Sequence, residues 1–246
     1  MSLINLNVDP TQFAKTGYCL FPNVFSHVEV ESNRRLLDEA TDNNVLDGEN
    51  YLGEPHTKDD RWMTICRNPR LLDAIESILG PNLILVYSSV FIKPPNSVDF
   101  VPWHQDNTYW KAVHGTDVVT VWLAIDDADT LNSAMKIIPG SHTGHREMET
   151  TPSAENAMVS KTIEITSEME DTAVTLEMKA GSVSIHDSFI LHGSDANLSD
   201  RRRAGYTIRY CSTDTAWVDV DLHPVPVYLV RGQAGSRGDG YTDCRP

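Results

Sequence analysis

The sequence predicts a mainly β fold, an antiparallel sandwich or barrel with helices packed outside it. Two observations carry this. Helix-like patterns stop by residue 81, and from residue 82 onward short β-rich runs follow one another between turn signals. The expected organisation is one domain over 1–246, with a mostly helical N-terminal part (1–81) and a β core (82–232).

The elements are justified in order. Asp9-Pro10 offers a cap and first turn for a helix over 9–16, and Val28, Val30 and Leu36-Leu37 supply an apolar stripe over 27–42. Between them, Gly17 to Phe21 reads as a short buried strand. The stretch from Asp42 to Asp60, rich in Asn, Gly and Asp, reads as loop. Leu71 to Leu79 is helical and stops at Gly80-Pro81. The β-rich runs are Leu83 to Lys93, Val118 to Asp126, Met135 to Pro139, Ala173 to Met178, Ser182 to His186 and Tyr206 to Cys211. Gly144 to Glu170 is strongly polar and reads as a long loop over one end, a length typical of lids and binding loops.

Composition excludes several classes of function. The 246 residues are 40% hydrophobic and 22% charged, ordinary for a soluble globular chain. The formal charge of −15 argues against nucleic acid as a partner, because phosphate-binding surfaces are basic. No apolar run is long enough to span a bilayer, and Met1 to Pro10 lacks the basic start and apolar stretch of a secretory signal. Cys19, Cys66, Cys211 and Cys244 are scattered without CxxC spacing and read as reduced thiols. The expected setting is cytoplasmic and the expected partner a small molecule; no motif speaks to oligomeric state.

Chemistry begins at Pro102-Trp103-His104-Gln105-Asp106. In an HxD unit at a strand end, the first and third side chains point the same way, so an imidazole and a carboxylate reach a common metal. Alone, such a tripeptide also fits a surface His beside a solvated Asp. His192 changes the weighing. It closes the apolar run Ser188 to Leu191, precedes Gly193-Ser194, and lies 88 residues after His104, far enough to return on another strand. Two His and one carboxylate on one face of a metal leave positions open for O2 and an organic co-substrate, the facial triad of non-haem Fe(II) oxygenases. His186, beside Asp187, is a rival for the distal ligand. His142 fits a turn hydrogen-bonder better than a ligand. Arg203, immediately before the strand from Ala204, suits a clamp for the far carboxylate of a dicarboxylic co-substrate.

These pieces together resemble the phytanoyl-CoA dioxygenase family. The resemblance rests on His104-Gln105-Asp106, Pro139-Gly140-Ser141-His142, and His192-Gly193-Ser194 followed by Arg203. The opening Phe13 to Tyr18 and the late Val230-Arg231-Gly232 extend it over nearly the whole chain. It implies a double-stranded β-helix, a cupin-like jelly-roll relative. It implies Fe(II) on His104, Asp106 and His192, 2-oxoglutarate on Arg203, and co-substrate contacts from Ser194 and Trp122. Thr120, on the same strand face as Trp122, and Lys93, ahead of Pro94-Pro95, are further candidates. Asn107, Tyr109 and Trp110 follow the Asp directly and are the expected substrate side.

The expected reaction is hydroxylation of a small polar metabolite or a natural-product-like scaffold, with O2 consumed and succinate and CO2 released. Two alternatives stand beside it. A related halogenase would replace the carboxylate ligand with a small residue, and Asp106 argues against that. A non-catalytic cupin-type binding module would hold metal or ligand without turnover.

Overall fold

The computed structural model describes residue 6, residues 8–48 and residues 50–245. Most of the N-terminal stretch read for a secretory signal lies outside the described residues. In chain order the elements are α1 (Pro10–Thr16), β1 (Tyr18–Phe21), α2 (His27–Asp42), β2 (Tyr51–Gly53), α3 (Pro55–Lys58), α4 (Asp60–Cys66), α5 (Pro69–Leu79) and β3 (Leu83–Lys93). They continue with β4 (Val101–His104), a 3-10 turn (Asp106–Tyr109), β5 (Val113–His114), β6 (Val118–Ala124), β7 (Lys136–Ile137), β8 (Thr151–Pro152), β9 (Lys161–Thr162) and α6 (Ser167–Glu170). The last are β10 (Val174–Thr175), β11 (Val183–Asp187), β12 (His192–Ser194), β13 (Arg203–Ser212), β14 (Trp217–Val218), β15 (Tyr228–Arg231) and β16 (Thr242–Asp243).

The helices start where side chains can take over the free backbone N–H groups. Asp9 caps α1, Asn68 caps α5 ahead of Pro69, and Ser26 with Glu29 forms a reciprocal capping box on α2. A large sheet runs β1-β11-β6-β13-β3-β15-β16, with β2 added to β3; a smaller sheet runs β10-β7-β12-β4. The architecture is a double-stranded β-helix.

The central strands are buried on both faces, so chemistry partitions by parity instead of by exposure. On β13, Ala204, Tyr206, Ile208 and Tyr210 join the helices in the main core, as do Val119, Val121 and Leu123 of β6. The alternate residues, Arg203, Thr207 and Arg209 with Thr120 and Trp122, line an internal cavity. Gly205 shares the parity of the cavity-facing residues, and the indole of Trp122 occupies the place where a side chain would stand.

Several expectations need correction. The stretch read as loop from Asp42 to Asp60 holds β2 and α3, and α4 follows it. β2 is recruited by pairing with the edge of β3, a tertiary effect with no local signature, and α3 is a single turn opened by Pro55. The runs Met135 to Pro139 and Ala173 to Met178 shrink to β7 and β10, which pair only with each other and, for β7, with β12. Residues 144–170 are a long connection, but they carry the small β8–β9 hairpin and α6, and Met158, Val159 and Ser160 reach the cavity. Burial pushes the thiols of Cys19, Cys66 and Cys211 up to about 12, which leaves them without nucleophilic character.

Candidate active site

β12 lies between β4 and β7, and its register places His192 directly opposite His104. Directly paired residues stand only about 4.5–5.5 Å apart at Cβ, so the two imidazoles converge from neighbouring strands. Their ring centroids are 4.1 Å apart. Asp106 enters from the 3-10 turn that follows β4. The Nε2 atoms of His104 and His192 lie 3.6 and 3.8 Å from Asp106 Oδ1, and all three ligating atoms fall within 4.8 Å of one another.

Hydrogen bonds behind the rings fix which nitrogen is free. His104 Nδ1 lies 2.9 Å from the Pro102 carbonyl and His192 Nδ1 3.0 Å from the Ile190 carbonyl. A carbonyl only accepts, so each Nδ1 carries the proton and each Nε2 presents a lone pair to the common point. Burial pushes the His192 imidazole well below its ordinary range, and His104 and His186 add to that shift. Burial would raise the Asp106 carboxyl, but the polar ring of imidazoles around it and the Arg209 guanidinium hold it well below the usual range. Thr120 Oγ1 donates to Asp106 Oδ2 at 2.5 Å, which leaves Oδ1 turned toward the imidazoles. Two neutral imidazoles and one buried carboxylate, with orientations fixed, are a donor set that fits a divalent iron.

The neighbouring cation is equally prepared. Arg203 is buried; its Nε donates to the Ser133 carbonyl at 2.9 Å and its Nη2 to Ser194 Oγ at 2.9 Å. Burial brings the guanidinium down to about 10, still charged at neutral pH. Among the described residues no carboxylate lies within ion-pair distance of it. The face of Trp122 lies 5.7 Å from the guanidinium carbon.

A single cavity of about 540 Å³ gathers most of the expected residues. His104, Asp106 and His192 line it, as do Arg203, Ser194, Trp122 and Thr120, and then Tyr109 and Trp110. Two expected residues are not brought to it. Asn107 lines a separate cleft, and its Nδ2 donates to Glu147 at 3.4 Å. The turn explains this, since residues three apart share a face of a 3-10 helix and Asp106 and Tyr109 take the inner one. Lys93 is fully buried behind the cavity wall, where its Nζ donates to Ser133 Oγ and Ser194 Oγ, both at 2.8 Å, and to the Asp195 carbonyl. Thr120 faces the cavity, but its hydroxyl serves Asp106.

His186, weighed from the sequence as a rival ligand, lines the cavity, as do Arg209 and His223, to which the sequence reading gave no role in the site. His186 Nε2 lies 3.5 Å from Asp106 Oδ2, and its ring centroid is 4.6 Å from that of His192. Strand parity would have found Arg209, since Arg203 and Arg209 are six residues apart on one strand and share its face. His223 sits in an irregular segment with no sequence signal. His142 Nε2 donates to the Ala14 carbonyl at 3.2 Å and does not line the cavity.

The sequence profile described as phytanoyl-CoA dioxygenase (PhyH) matches residues 13–205. The chain belongs to the phytanoyl-CoA dioxygenase family. A relative from Stutzerimonas stutzeri, named "Probable alpha-ketoglutarate-dependent hypophosphite dioxygenase", is 29% identical over 84% of this chain and 78% of its own length. The human peroxisomal phytanoyl-CoA dioxygenase is 26% identical over 66% of this chain, which spans about half (49%) of that protein's length. Among solved structures, the non-heme monooxygenase ThoJ aligns with a TM-score of 0.78 at 23% identity, covering 97% of this chain and 88% of ThoJ. Family membership and site together make this phytanoyl-CoA dioxygenase family protein a 2-oxoglutarate-dependent non-haem iron dioxygenase. Among the described residues no helix is long and apolar enough to cross a membrane.

Proposed function

We propose that His104, Asp106 and His192 hold the iron, that Arg203 and Ser194 receive the far carboxylate of 2-oxoglutarate, and that the product is a hydroxylated small polar metabolite. The observation that carries this is the convergence of two tautomer-fixed imidazoles and one carboxylate in one cavity beside a buried guanidinium that has no carboxylate partner among the described residues. Iron, when bound, supplies the redox chemistry with O2. The balance is one O2 and one 2-oxoglutarate consumed per substrate C–H converted to C–OH, with succinate and CO2 released.

The chain's own share is positioning and exclusion. Thr120 fixes the Asp106 carboxylate through Oδ2. Lys93 acts as a positioning residue: by donating to both Ser133 and Ser194 it holds the two hydroxyls that meet Arg203. Trp122 covers the guanidinium, and the aromatic wall of Tyr109 and Trp110 faces the remaining space, where the substrate sits. The intact carboxylate at Asp106 favours hydroxylation over halide transfer.

The test is succinate release from 2-oxoglutarate by the Fe(II)-loaded protein, with Asp106→Ala and Arg203→Ala beside it. Asp106→Ala should give no release above background. Arg203→Ala strands a carboxylate in a buried site, which costs about 3–5 kcal/mol, roughly a hundredfold or more in 2-oxoglutarate affinity. Wild-type release in Asp106→Ala, or an unchanged co-substrate dependence in Arg203→Ala, refutes the assignment. Absence of release from the loaded wild type would favour the non-catalytic alternative.

A further inference from the structure

We infer that Arg209 forms a second anion site in the cavity, and that the substrate class is a small molecule bearing a carboxylate or phosphorus oxyanion. This deepens the proposed function and rests on it for the location of iron and 2-oxoglutarate. Arg209 is buried and lines the same cavity as the triad. Its hydrogen bonds to described residues run through Nη1, to Ser89 Oγ at 2.8 Å, to Thr207 Oγ1 at 2.5 Å and, at 3.5 Å, to the Thr207 carbonyl. Its buried Nε has no partner among the described residues.

The guanidinium is held rigidly all the same. Ser89 and Thr207 are tied to each other across β3 and β13, with their hydroxyls 2.8 Å apart and Thr207 Oγ1 donating to the Ser89 carbonyl at 2.8 Å. The rings of Tyr87 and Trp110 lie 5.7 and 5.9 Å from the guanidinium carbon. Hydroxyls on Nη1 and aromatic rings on the flanks leave Nη2, which donates to no described residue, free for an oxyanion.

No carboxylate within ion-pair distance, among the described residues, neutralises this charge. Asp106 is close enough to feel it, but Thr120 already holds one oxygen of that carboxylate and the other faces the common point of the triad. A buried, unpaired cation is costly to keep, and chains that keep one commonly use it on a ligand. Arg203 has the same character and is matched by the co-substrate, which leaves Arg209 for the substrate.

The test uses anaerobic protein loaded with Fe(II) and 2-oxoglutarate, titrated calorimetrically with acetate, benzoate and inorganic phosphite, and with neutral acetamide and benzamide. At least one anion should bind while its neutral counterpart does not, and the carboxylate and phosphite arms separate the two kinds of oxyanion. Arg209→Gln should weaken that anion by about 10- to 100-fold, the range for a lost charge-assisted contact. Arg209→Lys should weaken it less. Affinity for 2-oxoglutarate should fall further in Arg203→Gln than in Arg209→Gln. Melting of the ligand-free Arg209→Gln protein should be at or above wild type, since an unpaired buried charge has been removed; a purely structural arginine would lower it. No anion binding, equal binding of the neutral probes, or 2-oxoglutarate affinity that follows Arg209 overturns the inference. If the wild type binds no 2-oxoglutarate, the failure belongs to the proposed function and takes the second site with it.

Discussion

Thr120→Val removes one oxygen from the site and nothing from its volume. In the wild type, Thr120 Oγ1 donates to Asp106 Oδ2 at 2.5 Å, with both residues buried. A hydrogen bond to a charged acceptor contributes about 1.5–3 kcal/mol, and valine leaves the carboxylate oxygen with no donor in that direction. Part of this loss appears as a looser carboxylate. Converted directly, about 1.5–3 kcal/mol is roughly 10- to 100-fold in metal affinity, the usual range for deleting a partner behind a metal ligand. Calorimetric titration with Mn(II), a redox-quiet stand-in for Fe(II), reads it. Thr120→Ser keeps the hydroxyl and should bind metal within a few-fold of wild type. Equal affinity in valine and wild type, or equal loss in serine and valine, would refute the idea that this hydroxyl aims Asp106.

Three further outcomes follow from the same geometry. His192→Ala should abolish succinate release, whereas His186→Ala should retain a measurable fraction, because His186 approaches the other carboxylate oxygen; reversed outcomes would relocate the distal ligand. Gly205→Ala places a methyl group where the Trp122 ring lies, so unfolding should cost at least about 1–3 kcal/mol less and the melting temperature should drop by several degrees. Burial, with the Arg203 charge adding to it, brings the Lys93 ammonium down to about 6 in the folded protein, so between that value and the ordinary lysine range the unfolded chain binds more protons. Stability should therefore rise with pH above about 6, and Lys93→Met should flatten that slope in urea titrations at several pH values; an unchanged slope would show that Lys93 is not its source.

Much of the site could be read in the sequence because its residues are tied to short local patterns. His104 and Asp106 share a strand end, and His192 is followed by the Gly193-Ser194 pair and then Arg203. What could not be read depended on partners distant in sequence. β2 exists because β3 offers an edge, and Lys93 turned out to be a buried brace because Ser133, Ser194 and Asp195 come from two other segments. Asn107 was misplaced because adjacency in sequence says little inside a 3-10 turn. Arg209 is a different case. Its face was legible from the alternation in Arg203-Ala204-Gly205-Tyr206-Thr207-Ile208-Arg209, yet a polar residue within a strand buried on both faces carries no hydrophobic contrast to mark it.

The charge balance of the cavity points the same way as the free Arg209 donors. Asp106 is ionised and Arg203 and Arg209 are cationic, before any charge on Lys93 is counted. With divalent iron and doubly charged 2-oxoglutarate bound, the metal and co-substrate cancel. Asp106 then cancels one arginine, and one positive charge remains. Uncompensated charge in a buried site is costly, so under the proposed assignment the loaded cavity should favour a monoanion. A neutral substrate would leave that charge exposed to whatever water enters, whereas an oxyanion would both neutralise it and displace water from the ring of Tyr87 and Trp110. The same accounting says that Arg209→Gln should not merely weaken anions but narrow the gap between anionic and neutral ligands, since the loaded cavity would then already be balanced.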